Sequence, residues 1–114
     1  MEGCIFCKIA DREIPSKIIF EDADILAFDD INPQAPVHVL LIPKEHYASL
    51  NNIPESKKDL LGHILLKARQ IARDKGIGER GYRIVLNTAR DSGQEVFHIH
   101  FHILGGRRMS WPPG

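Results

Sequence analysis

Neither sign of charge is in excess in this chain. Fifteen lysines and arginines are balanced by fifteen aspartates and glutamates, so the chain is formally neutral with histidine uncharged. A neutral chain has no electrostatic pull toward nucleic acid or an anionic membrane, and a small-molecule partner fits better. Long apolar runs are also missing, none approaching the roughly 20 residues that span a bilayer. The N-terminus carries no basic segment followed by a long apolar one, so no secretory leader is expected. These absences point to a cytoplasmic location. Cysteine is scarce, with only Cys4 and Cys7. In a reducing compartment two thiols are not expected to form a structural disulfide. No internal repeat, low-complexity run or linker interrupts the sequence, and 114 residues suffice for one domain with one core. The whole chain, residues 1–114, is therefore read as a single domain.

Histidine is not scarce. Three of the six fall in Val96-Phe97-His98-Ile99-His100-Phe101-His102-Ile103-Leu104. Strict alternation with apolar residues is a period of two, which predicts a strand. Alternate residues of a strand point to one side, so His98, His100 and His102 make one row. Phe97, Ile99, Phe101 and Ile103 make the other, which reads as the core face. At about 3.3 Å per residue the outer histidines lie roughly 13 Å apart at Cα. A metal ion needs its ligand nitrogens about 2.0–2.1 Å away, so one ion hardly takes all three. The row reads as a catalytic ridge rather than a single metal cage.

The rest of the chain supplies a frame for that ridge. Cys4-Ile5-Phe6-Cys7 is a CxxC pair: half of a zinc site, a redox pair, or two unliganded thiols. Zinc would need two more ligands, for which His46 and His98 are candidates. Residues 4–11 predict a short helix that ends before Pro15. Lys17–Phe20 and Ile25–Phe28 flank a polar loop and predict a hairpin. Asp29-Asp30-Ile31-Asn32-Pro33 reads as a turn whose carboxylates are solvated or accept a ligand's hydroxyls. Val37–Ile42 reads as an interior strand. Its His38 needs partners, because an unsatisfied buried polar group costs about 1–3 kcal/mol. Leu60, Leu61, Ile64, Leu65, Ala68, Ile71 and Ala72 recur at helical spacing between Asn52 and Gly76, with Pro54, Glu55 and Ser56 fitting the start. His63, Lys67 and Arg69 lie off that stripe and are expected in solvent. Tyr82–Leu86 predicts a fifth strand. The loop from Asn87 to Glu95 contains Gly93 and can present backbone N–H groups to an anion beside the histidines. Gly105-Gly106 ends the histidine strand, and the tail through Trp111-Pro112-Pro113-Gly114 cannot be helical.

Taken together these stretches resemble the histidine triad superfamily. His98–Leu104 matches its His-φ-His-φ-His-φ-φ signature, where φ is apolar. Cys4–Ile9, Phe28–His38, Ile42–His46 and Gly105 through the Trp-Pro-Pro-Gly ending agree in order and spacing. The likeness spans essentially the whole chain and is most similar to the Hint branch of nucleotide-binding proteins. It implies an α+β fold, a five-stranded antiparallel sheet with two helices that pairs across a homodimer into ten strands. The five strands read above agree with that count.

The resemblance implies a purine nucleoside phosphoramidase, which cleaves the P–N bond of nucleoside 5′-monophosphoramidates. His100 would be the nucleophile and would form a nucleotidyl-histidine. His102 would donate to the phosphoryl oxygens, His98 would orient His100 through the backbone, and His38 would line the site. Asn87, Gly93 and the backbone after Gln94 would hold the phosphate, and Asp30 the ribose. Ile5, Phe6, Ile9, Phe28, Ile31 and Leu40 would enclose the base, and Trp111 would reach toward the partner's site and touch the leaving group. Glu95 departs from the pattern, since many Hint proteins have serine there and an ionised carboxylate repels phosphate. That departure keeps open a nucleotide-binding or scaffold module with little turnover. A dinucleoside polyphosphate hydrolase is a third reading, opposed by the Trp-Pro-Pro-Gly ending. No cofactor is required for the implied catalysis, and a structural zinc on Cys4, Cys7, His46 and His98 is implied as a possibility. The partners implied are purine nucleoside monophosphates and phosphoramidates, with a second copy of the chain.

Overall fold

The computed structural model describes residues 1–114. Five antiparallel strands form one open sheet in the order β1-β2-β3-β5-β4. They are β1 (Ile18–Glu21), β2 (Ile25–Asp29), β3 (Val37–Pro43), β4 (Tyr82–Leu86) and β5 (Phe101–Gly105). A short helix, α1 (Ile5–Ala10), precedes the sheet, and α2 (Lys58–Asp74) connects β3 to β4. The expected α+β architecture is therefore present. No helix is long and apolar enough to cross a membrane.

The sheet is apolar on both faces because β2 and β3 carry unbroken apolar runs, so it needs a cover on each side. Ile25, Ala27, Val39, Leu41, Ile99, Phe101 and Ile103 pack under α2 with Ile64, Ala68, Ile71 and Ala72. Leu26, Phe28, Leu40 and Ile42 point the other way and pack with Phe6 and Ile9 of α1. One residue of register decides the layer, and the histidines fall on the α1 side. Leu40 pairs with His102 and Leu41 with Phe101.

Four local expectations need correction. The strand of the triad begins only at Phe101, so His98 and His100 precede the ladder. Its paired register begins there: Phe101 faces Leu41 of β3 and Leu86, the last residue of β4, while β3 runs on to Pro43 paired with β2 alone. The Ile99 N–H turns instead to the Tyr47 carbonyl at 2.7 Å. The chain stays extended enough that Ile99 and His100 still face opposite ways. Phe97, expected in the core, is 58% exposed, because it lies in the bend before the alternation takes hold.

In α2 the stripe is shorter than its pattern. Leu65 is 47% exposed, and two 3₁₀ turns, Leu50–Asn52 and Glu55–Lys57, occupy the approach to the helix. Two of the residues expected in solvent on that helix have partners. His63 Nε2 lies 2.7 Å from Asp22 Oδ2, and Lys67 Nζ sits 4.1 Å above the Phe20 ring. Both contacts tie that flank of α2 to the first hairpin.

Candidate active site

The triad splits into two centres with different chemistry. His98 is fully buried, and its Nε2 lies 2.8 Å from the Pro43 carbonyl. A carbonyl only accepts, so Nε2 carries the proton and Nδ1 keeps its lone pair. That Nδ1 lies 3.4 Å from Cys4 Sγ, 3.4 Å from Cys7 Sγ and 3.2 Å from His46 Nδ1. Cys7 Sγ is 3.3 Å from His46 Nδ1. Zn–N bonds of about 2.0–2.1 Å and Zn–S bonds of about 2.3 Å give a tetrahedron whose edges run about 3.3–3.8 Å. Four donors at this spacing, two thiols and two imidazoles, are a set that fits zinc. They come from the start of α1, the loop after β3 and the segment before β5, so the fold assembles them from three distant stretches.

His100 and His102 face a different cleft of about 240 Å³, lined also by Phe6, Asp30, Leu40, Asn87, Gly93, Glu95 and Val96. His100 Nδ1 lies 2.8 Å from the main-chain carbonyl of His98. It must donate there, which leaves the Nε2 lone pair free. The Phe6 ring packs nearly perpendicular to this imidazole, with centroids 5.0 Å apart.

The neighbouring pair is fixed by a chain of donors that starts in the backbone. The Gln34 N–H donates to His38 Nδ1 at 3.0 Å. His38 Nε2 therefore holds the proton and donates to His102 Nδ1 at 2.9 Å. His102 is left with its proton on Nε2. One imidazole in the cleft thus offers a lone pair and the next offers a donor.

Burial keeps these rings neutral. His100 and His38 are pushed below the ordinary histidine value by desolvation, which Asp30 partly opposes. His102 is lowered to about 4, by desolvation first and then by its two histidine neighbours.

The loop before the triad forms the cleft's polar wall. Gln94 is buried and acts as its clamp. Its Nε2 donates to Ala48 O at 2.8 Å and Val96 O at 3.0 Å, and its Oε1 accepts from Ala89 N at 2.8 Å. Ala89 is held at φ 66°, ψ −169°, a region that is nearly glycine-only. Gly93, at φ 86°, takes the left-handed turn that follows. The N–H groups of Glu95 and Val96 find no acceptor within the protein. Free amides lining a cleft beside a neutral donor imidazole suit an anion.

The expected site residues distribute unevenly. His100, His102, Asp30, Asn87, Gly93, Glu95, Phe6 and Leu40 meet at the cleft. His38 stands behind it, and Asp30 also accepts from Asn32 N–H at 2.8 Å. Ile9 and Phe28 are buried beneath it in the small core, Ile5 lines a neighbouring hollow, and Ile31 is 97% exposed at the β2–β3 turn. Trp111 is 82% exposed in the tail. The side chain of Gln94 is scaffold, since all three of its hydrogen bonds go to the main chain. Val96 and Gln34 were missed. Nothing local marks the Gln34 amide as a histidine's partner.

Comparison with known proteins agrees with this geometry. The HIT domain pattern matches residues 11–109. An uncharacterized HIT-like protein of Synechocystis is 56% identical over 113 residues, covering 99% of this chain and 98% of that protein. The crystal structure of a HIT family hydrolase from Legionella pneumophila superposes with a TM-score of 0.96 at 54% identity, covering 98% of this chain and all of the other. A histidine triad nucleotide-binding protein from Candida albicans superposes at 0.83 with 38% identity, over 96% of this chain and 83% of its own. With the sheet order, the paired histidines and these likenesses in agreement, the chain belongs to the HIT domain family.

Proposed function

We propose that this protein is a hydrolase of purine nucleoside 5′-phosphoramidates. The observation that carries the reading is the tautomer of His100. Its Nδ1–H is spent on the His98 carbonyl, so its free lone pair faces the cleft. In the first step His100 Nε2 attacks the α-phosphorus. The P–N bond breaks, and its electron pair leaves with the amine, which takes up a proton from solvent. In the second step water adds to phosphorus, the bond to His100 breaks, and a nucleoside monophosphate is released. His102 Nε2–H and the amides of Glu95 and Val96 stabilise the charge on the phosphoryl oxygens. Phe6 and Leu40 contact the nucleoside, and Asp30 accepts from its ribose.

Incubation with adenosine 5′-phosphoramidate should yield AMP and ammonia, and chromatography follows both. The hydrolase name of the Legionella protein and the nucleotide-binding name of the Candida protein support this choice. The exposed Glu95 carboxylate favours a second reading, a nucleotide-binding module with little turnover. AMP binding with no hydrolysis above background would select it.

The attack on phosphorus needs a neutral His100, and the sign of the pH dependence follows. The folded values lie below the usual 6.5, so protons add only as pH falls well under it. The plateau of kcat/KM should extend below pH 6.5 and decline toward pH 4. The unfolded chain binds these protons first, so stability should also fall over that window. An acid limb centred at or above pH 6.5 would contradict the buried, neutral site.

Zinc held by Cys4, Cys7, His46 and His98 is part of the proposal. Its role there is structural cross-linking, and the reaction does not need it. A reduced thiol pair of this kind fits a cytoplasmic location. The proposal also includes a homodimer that joins two sheets along β4 into ten strands. β4 is an open edge, and Arg69 and Arg73 of α2 line a hollow with Tyr82 of that strand. On the same side of α2 Leu65 is 47% exposed, and Leu66, on its outer face, is 55% exposed. Leu65→Glu should convert the dimer to monomer in sedimentation; a wild-type monomer at micromolar concentration would remove the dimer.

A further inference from the structure

The donor chain that fixes His102 begins at the Gln34 amide, in residues 30–36 between β2 and β3. Hydrogen bonds made by this turn are mostly local. Asp30 N–H donates to the His38 carbonyl at 3.0 Å, and Asn32 N–H to Asp30 Oδ1 at 2.8 Å. Gln34 Nε2 donates to the Asn32 carbonyl at 3.1 Å. One side chain from a distant stretch joins them. Arg107 Nε and Nη2 both donate to the Gln34 carbonyl, at 3.1 and 3.0 Å, and its Nη1 reaches the Arg108 carbonyl at 3.3 Å. No carboxylate pairs with this guanidinium, so carbonyls alone receive its charge. Gly106 makes the approach possible. It sits at φ 90°, and a Cβ there would lie 2.8 Å from Pro36 Cβ. The chain leaving β5 therefore folds down onto Pro36 and sets Arg107 over Gln34.

We infer that Arg107 is a positioning residue: by holding Gln34 against His38 it fixes the direction of the His38–His102 hydrogen bond, and with it the donor offered to the phosphoryl group. The kinetic consequence rests on the phosphoramidase reading; the hydrogen-bond direction does not. Two imidazoles can share one bond either way round. With the Gln34 N–H on His38 Nδ1, the shared proton belongs to His38, and His102 presents Nε2–H to the cleft. Once the turn loosens, His38 can carry its proton on Nδ1 and donate to water. His38 Nε2 then accepts from His102 Nδ1–H, and each ring stays neutral. His102 Nε2 is now a bare lone pair facing the phosphoryl oxygens, so attraction becomes repulsion. Asp30 Oδ2, 3.5 Å from His38 Nε2, favours a proton on that nitrogen and so the first direction. The reversed form is therefore a minority when Arg107 is lost, not the whole population.

Histidine ¹⁵N spectra test this, since protonated and bare ring nitrogens differ widely in shift. In the wild type His102 should be protonated on Nε2 alone. Arg107→Ala should add a second His102 form protonated on Nδ1. It should also lower kcat/KM for adenosine 5′-phosphoramidate about three- to tenfold, the range for a charged hydrogen bond in a solvent-facing position. Arg107→Lys should fall between, because an ammonium replaces the fork with a point charge. Arg107 is exposed, so Tm should hardly move. On a His38→Ala background the same Arg107→Ala change should cost nothing further. An unchanged His102 spectrum in Arg107→Ala, or a loss that persists in full without His38, overturns the assignment while wild-type hydrolysis leaves the phosphoramidase reading standing. If the wild type hydrolyses no phosphoramidate, that reading fails, and the spectrum alone decides for or against Arg107.

Discussion

His100→Ala should abolish turnover, lowering kcat by about 10⁴- to 10⁶-fold, the range seen when a covalent nucleophile is deleted. No other group in the cleft can replace it. His102 has its proton on the nitrogen that is not bonded to His38, and its lone pair is already taken up by His38 Nε2–H. His38 is occupied at both nitrogens, by the Gln34 amide and by His102. His98 faces the thiols. AMP affinity should change little, because the amides of Glu95 and Val96, the Asp30 carboxylate and the apolar contacts of Phe6 and Leu40 all remain. His102→Ala should cost less, about 10²- to 10³-fold, because it removes a donor to the transition state rather than the bond-forming atom. Single-turnover kinetics with calorimetric AMP titration separates these effects. Retained turnover in His100→Ala would mean that water attacks directly and that no histidine intermediate exists.

The residues that make this site differ in how visible they are along the chain. The alternation of His98, His100 and His102 shows at a glance, and it places them on one side even though the ladder begins later. That happens because an extended backbone alternates its side chains whether or not a neighbouring strand is bonded to it. The division of labour within the row is another matter. Whether a histidine offers a lone pair or a proton depends on what its other nitrogen meets. For His102 that is a partner 64 residues away, and for His98 a carbonyl 55 residues away. Gln94 is similar, with its most distant partner, Ala48, 46 residues off. A pattern of apolar residues also carries no information about what lies opposite them. Leu65, Leu66 and Phe97 are as hydrophobic as the core and remain exposed. The CxxC pair alone left zinc, redox and plain thiols open. Only folding brings His46 and His98 within bonding range of one ion.

Removing the metal should cost the fold more than any single side chain on the sheet's surface. Purified protein should carry about one zinc per chain, and chelation should lower Tm by about 10 °C or more. The reason is topological. A zinc on the four donors would tie the start of α1 to the loop after β3 and to the entry of β5, closing loops of 94 and 52 residues. Few other contacts hold α1 to the triad segment beyond the Phe6 ring against His98 and His100. A bound ion adds RT ln(1 + [L]/Kd), about 2.7 kcal/mol at a hundredfold excess over Kd. For a domain of this size 1 kcal/mol moves Tm by about 4 °C, which gives the expected shift. Cys7→Ser should reproduce it, and the variant should no longer respond to chelator. Burial pushes the Cys7 thiol up, so the apo protein holds it protonated; zinc binding should release that proton, and zinc affinity should rise with buffer pH. Protein purified without zinc, with a melting curve indifferent to both chelator and added metal, would show that the four donors are held together by packing alone.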